Sequence, residues 1–132
     1  MPFVVDTSVM ASWHFEDECN PKGDAILATL QNDEAIVPGH WWFEIRNVLL
    51  TGERRRRTST EQTTEFLDLL RDLSISVALL PDESSVIDLA RRHRLSFYDA
   101  AYLELAQRER LPLATFDGDL IAAAKAENVT LA

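Results

Sequence analysis

Short apolar runs alternate with longer stretches of helical period along the 132-residue chain. Phe3-Val4-Val5 reads as a buried strand too short to show alternation. Asn20 and Pro21 suit an N-cap and first helical position, predicting a helix to about residue 32. Ala35-Ile36-Val37 predicts a second strand, stopped by Pro38 and Gly39. Residues 40–53 have a helical period, with Trp41, Trp42, Ile45, Val48 and Leu49 on one arc. Thr60 caps the next predicted helix, whose periodic face carries Thr63, Phe66, Leu67, Leu70 and Leu73. A third strand is predicted over 75–80, ended by Pro81. Helices follow over about 83–93 and 97–108, then a strand over 113–116, a helix over about 119–126 and a last strand near Val129.

Strands alternating with helices predict an α/β fold, a three-layer α/β/α sandwich around a mostly parallel sheet. No repeat, low-complexity tract or Gly/Ser linker interrupts the pattern, so residues 1–132 read as a single domain.

Composition narrows the function classes. With 46% hydrophobic and 27% charged residues, the chain has an ordinary globular balance. Its longest apolar run, Leu120 to Ala124, is too short to span a bilayer, and the N-terminus lacks the pattern of a signal peptide. A cytoplasmic protein with no membrane partner is the expectation. The single cysteine, Cys19, has no internal disulfide partner, which suits a reducing compartment. The net charge of −9 argues against a general nucleic-acid binder but is compatible with carboxylates gathered to hold a metal ion.

Four of those carboxylates stand out. Asp6 follows the first strand and Asp117 follows the strand ending at Phe116. The carboxyl ends of parallel strands share one edge, where ligands bind, so these two side chains can meet there. Both also suit helix N-caps, although Thr7 and Ser8 would cap as well as Asp6. Asp99 sits in Ser96-Phe97-Tyr98-Asp99, a capping-box spacing that gives a structural account of the same residues. Glu44 falls at the border of its helix's apolar arc beside Val48, with Asn47 three residues on and on its side of the helix. Carboxylates gathered at one edge repel one another, and a hard divalent cation relieves that repulsion. Such an ion polarises a phosphate and activates a water, so phosphodiester hydrolysis is the reaction this set suits.

The order Val-Val-Asp6-Thr-Ser8, Trp-x-x-Glu44-x-x-Asn47, Tyr-Asp99-Ala-Ala-Tyr-Leu-Glu-Leu-Ala and Ala-Thr115-Phe-Asp117-x-Asp-Leu resembles the PIN-domain family. More narrowly, it is similar to the VapC-like ribonuclease toxins of type II toxin–antitoxin pairs. The resemblance runs over essentially the whole chain. It implies a five-stranded parallel sheet and a Mg²⁺- or Mn²⁺-dependent endoribonuclease, usually dimeric and held inactive by a cognate antitoxin. On that resemblance Asp6 and Asp99 are principal metal ligands, and Glu44 and Asp117 complete the acidic pocket. Ser8, Asn47 and Thr115 match auxiliary polar positions that hold carboxylates and water, while the place of Asp119 stays open.

Arg54, Arg55, Arg56 and Arg57 are the densest positive charge. They suit RNA phosphates or an acidic partner segment, but solvated cations at a helix C-terminus are the simpler account. Of the adjacent Trp41 and Trp42, one has a claim to a partner interface. A response-regulator receiver is excluded because the third strand ends without a phospho-acceptor aspartate. A haloacid-dehalogenase-like phosphatase is excluded because position 8 is Ser. A non-catalytic PIN-like module binding RNA or protein and a structure-specific DNA nuclease remain the alternatives.

Overall fold

The computed structural model describes residues 1–132. Four short strands, β1 (Phe3–Val5), β2 (Ala35–Val37), β3 (Ile75–Val77) and β4 (Leu113–Ala114), form one parallel sheet in the order β3-β2-β1-β4. The helices are α1 (Thr7–His14), α2 (Pro21–Thr29), α3 (Trp41–Arg54), α4 (Thr60–Asp72), α5 (Glu83–His93), α6 (Phe97–Glu109) and α7 (Gly118–Ala126). A 3₁₀ turn, Glu16–Glu18, links α1 to α2.

The expected α/β arrangement, a parallel sheet flanked by helices, is present, with one difference of detail. The predicted fifth strand is reduced to a single parallel bridge between Leu131 and Leu113. Helix α1 was not expected. Thr7, Val9, Met10, Ala11 and Ser12 are all buried, so the segment lacks the polar face that makes amphipathic helices visible.

β1 is the central strand and is entirely buried, as a parallel strand covered on both faces should be. The sheet's outer edge is β3, where Val77 is half exposed and Leu79 and Leu80 stand almost fully in solvent. The adjacent tryptophans split between core and surface. Trp41 is buried and donates its indole N–H to Met10 Sδ at 2.8 Å, while Trp42 is exposed beneath the Arg46 guanidinium, 3.8 Å from its ring centroid. Ser59, not Thr60, caps α4, accepting from the Gln62 N–H at 3.2 Å. Just beyond α3, α5 and α6 the chain turns through a left-handed residue that is an arginine each time, Arg56, Arg94 and Arg110.

The connections define where a site can form. From β1 the chain passes outward to β2 and β3, and only later returns to place β4 on β1's other side. That change of direction opens a crevice at the carboxyl ends of β1 and β4.

Candidate active site

The register of β1 and β4 sets Val5 opposite Ala114, so the two strands release Asp6 and Thr115 side by side. Thr115 donates its hydroxyl to Asp6 Oδ2 at 2.5 Å, and Ser8 donates to Oδ1 at 2.5 Å. The Val9 N–H adds a bond at 3.3 Å, making Asp6 the N-cap of α1. Thr7 and Ser8 therefore do not take the capping role that the sequence offered them. Ser8 Oγ instead accepts from the Phe116 N–H at 3.0 Å, tying the β4 exit to the start of α1.

Thr7 turns the other way and donates to Glu44 Oε1. The same oxygen accepts from the Tyr102 hydroxyl at 2.6 Å. Tyr102 lies three residues beyond Asp99, so one side of α6 supplies both the Asp99 carboxylate and the donor that fixes Glu44. Asp99 stands in the first turn of α6 and donates its N–H to Ser96 Oγ, the N-cap, at 3.1 Å. Asp117 caps α7, its Oδ2 accepting from the Leu120 N–H at 2.9 Å, while its own N–H donates to Thr115 Oγ1 at 3.1 Å.

Asp6, Glu44, Asp99 and Asp117 thus line one open cleft of about 310 Å³, together with Thr7, Ser8, Tyr102 and Glu18. A hollow of about 360 Å³ near the chain ends, lined by Met1, Phe3 and Ile26, has no acidic side chain in its wall.

One expected member stays outside the cleft. Asn47 is exposed and makes no side-chain hydrogen bond, and Val48 lines the cleft instead. A step of four residues along a helix returns within about 40° of the start, whereas three residues fall about 60° short. Asp119, whose place the sequence left open, is exposed and does not line the cleft. Thr7, Tyr102 and Glu18 are members the sequence did not single out. For Tyr102 the spacing of three from Asp99 was the available signal.

Burial and crowding set the charge state of the carboxyls. Burial raises Asp6 to about 6, against the opposing pull of the hydrogen bonds from Ser8, Thr115 and Val9. Asp99 is also raised, first by burial and then by the negative charges of Asp117 and Glu44. The Tyr102 hydroxyl is pushed up by burial and by its contact with Glu44, so it stays a hydrogen-bond donor. His40 lies with its ring 5.0 Å from that of Tyr102, and burial lowers its pKa while Glu44 and Asp99 pull it upward.

This donor set fits a hard divalent cation. All the groups are oxygens, and both Asp6 and Asp99 hold their protons more tightly than free carboxyls, which a cation would reverse. No three carboxylate, histidine or cysteine side chains converge tightly enough to wrap an ion between them. A divalent ion that takes one or two carboxylates directly and keeps several waters does not need such a cluster.

Of the four arginines after Glu53, Arg57 is engaged, its Nη2 bonding Asp17 at 2.8 Å and Glu18 at 2.5 Å. Arg54, Arg55 and Arg56 are exposed and unpaired. Glu104, within the Asp99 motif, belongs to the fold rather than to the site. It is buried and accepts from Arg108 Nε at 2.7 Å.

The PIN domain family model matches residues 3–126. The chain belongs to the PIN-domain family. Solved structures of similar fold include VapBC2 of Rickettsia felis bound to a DNA fragment from their promoter, with TM-score 0.69 and 12% identity over 100% of this chain and 98% of that one. Mycobacterium tuberculosis VapC20, a sarcin-ricin loop cleaving toxin, aligns with TM-score 0.64 and 18% identity over 92% of this chain and 94% of that one. A toxin–antitoxin complex from Klebsiella pneumoniae aligns with TM-score 0.60 and 16% identity over 87% and 86% of the two chains. No curated protein sequence matches this PIN domain. No helix of this PIN domain is long and apolar enough to cross a membrane.

Proposed function

We propose that this PIN domain is a Mg²⁺- or Mn²⁺-dependent endoribonuclease and the toxin of a VapBC-type toxin–antitoxin pair. The observation that carries the reading is the meeting of Asp6, Glu44, Asp99 and Asp117 in one solvent-open cleft at the β1–β4 edge. Asp6 and Asp99 are the principal metal ligands in this reading, with Glu44 and Asp117 completing the pocket through metal or its waters. A bound divalent ion would supply phosphate polarisation and a water of lowered pKa.

The protein's own groups do the positioning. Thr115 and Ser8 hold the two oxygens of Asp6, and Thr7 and Tyr102 hold Glu44. RNA is the substrate in this reading. The antitoxin partner rests on the similarity to a toxin–antitoxin complex and to a toxin. The exposed Trp42, Phe43, Leu50 and Leu69 of α3 and α4 offer it apolar surface. A second copy of the chain would cover Val77, Leu79 and Leu80 at the β3 edge. The reading places the enzyme in the cytoplasm with its RNA.

Incubating purified protein with a mixed RNA pool tests the activity. Cleavage that requires Mg²⁺ or Mn²⁺ and stops with chelator supports the reading. An intact fold that binds metal and leaves every RNA and DNA uncut points instead to a binding module, and cutting of DNA alone to a DNA nuclease.

A further inference from the structure

The 3₁₀ turn between α1 and α2 forms one wall of the acidic cleft, because Glu18 lines it beside the four carboxylates. Nothing within the turn explains why it stays there. The residues of the turn itself, Glu16, Asp17 and Glu18, are exposed. What holds them is the junction between α3 and α4. Arg57 Nη2 donates to Asp17 Oδ1 at 2.8 Å and to Glu18 Oε2 at 2.5 Å, and its guanidinium lies 4.2 Å from the centroid of the Phe15 ring. Phe15 is buried against Gly52, where a methyl group would come within 2.6 Å of the ring. The Arg57 N–H bonds the Gly52 carbonyl at 2.8 Å, and His14 meets the Thr58 hydroxyl at 2.7 Å. Arginine, ring and glycine therefore form one stack that fixes the turn to the α3–α4 junction.

We propose that Arg57 is a positioning residue that clamps the Phe15–Cys19 segment as the wall of the cleft and keeps the Glu18 carboxylate occupied. The metal and the phosphate then face four carboxylates and not five. Arg57 therefore assists the reaction without touching RNA. The inference rests on the nuclease reading for its consequence, but the clamp itself is measurable without it.

The test compares wild type with Arg57→Ala, Arg57→Lys and the double variant Arg57→Ala/Glu18→Gln. Hydrogen exchange reports the clamp, Mn²⁺ titration reports the charge of the cleft, and KM and kcat for RNA report function. In Arg57→Ala the amides of residues 15–19 exchange faster while the sheet is unchanged. Its Mn²⁺ affinity and its KM for RNA both rise about two- to fivefold, the scale of one partly exposed ion pair, with kcat nearly constant. The Glu18→Gln change returns both values toward wild type, which loss of packing alone would not permit, and Arg57→Lys falls between. Unaltered exchange at 15–19 in Arg57→Ala, or a double variant no closer to wild type than the single one, overturns the proposal. If wild type cuts no RNA, the nuclease reading fails, and exchange and Mn²⁺ affinity still decide the clamp.

Discussion

Thr115 and Asp6 lie 109 residues apart in sequence, yet the Thr115 hydroxyl donates to the Asp6 carboxylate at 2.5 Å. Strand register makes the pair, because β4 pairs with β1 so that the residues just past their ends are neighbours. Replacing Thr115 with valine keeps the volume and removes the donor. The substitution is expected to lower metal affinity or activity roughly 10- to 100-fold, the usual effect of losing a partner that orients a metal ligand. The loss in unfolding free energy should be about 1–3 kcal/mol, because Asp6 and the Asp117 N–H both lose a partner. Isothermal titration with Mn²⁺ and a urea melt separate the two effects.

The raised Asp6 pKa gives the metal-free protein a pH dependence of definite sign. Folded Asp6 titrates at about 6, while the unfolded group titrates near 3.8. Between those values the folded state binds more protons, so this contribution to stability is present below about pH 4 and is lost as pH rises through 6. Its size is roughly 3 kcal/mol at most, since each pKa unit is about 1.4 kcal/mol. Asp6→Asn should therefore be more stable than wild type above pH 6 without metal, and the gap should narrow toward pH 4. Saturating Mg²⁺ should stabilise wild type and leave Asp6→Asn nearly unaffected. Chemical denaturation across that pH range checks both statements.

Tyr102→Phe removes the hydroxyl that donates to Glu44 at 2.6 Å, while leaving the ring in the core. Glu44 then keeps only the Thr7 hydroxyl as a donor. Cleavage should fall roughly 10-fold or more through loss of the orienting bond. Stability should change by about 1 kcal/mol. Kinetics and thermal melts of the one variant provide both readings, and an unchanged rate would remove Glu44's orientation from the account.

The junction after α3 makes two opposite predictions. Arg56 has φ 58°, in the left-handed region, so Arg56→Gly should stabilise the fold by roughly 1 kcal/mol. Gly52→Ala sets a methyl group against the buried Phe15 ring and should destabilise by about 1–3 kcal/mol. Denaturant midpoints of the two variants, moving in opposite directions, check the geometry of the turn.

Much of this was readable in the chain. Phe3-Val4-Val5 followed by Asp6, and the capping residues Ser96 and Asp117, mark strand and helix ends by local chemistry that survives in the fold. The acidic residues themselves were legible because each leaves a strand or opens a helix at the same edge. Helix α1 was hidden because burial on most sides erases helical period. Asn47 was expected in the cleft and lies outside it, because a shared side of a helix is wider than a site. The Arg57 contacts with Asp17 and Glu18 were invisible, since only the folded chain brings the α3–α4 junction to the α1–α2 turn. Arg57 reads in sequence as one more cation in a run of four.

The most direct test of the central claim is the chemistry of the cut ends of RNA, compared between wild type and Asp99→Asn in Mg²⁺ or Mn²⁺. Attack by a metal-activated water leaves no 2′,3′-cyclic phosphate, and Asp99→Asn should abolish cutting while remaining folded. Cyclic phosphate ends, or cutting that persists in Asp99→Asn or in chelator, would contradict a metal-dependent nuclease built on these carboxylates.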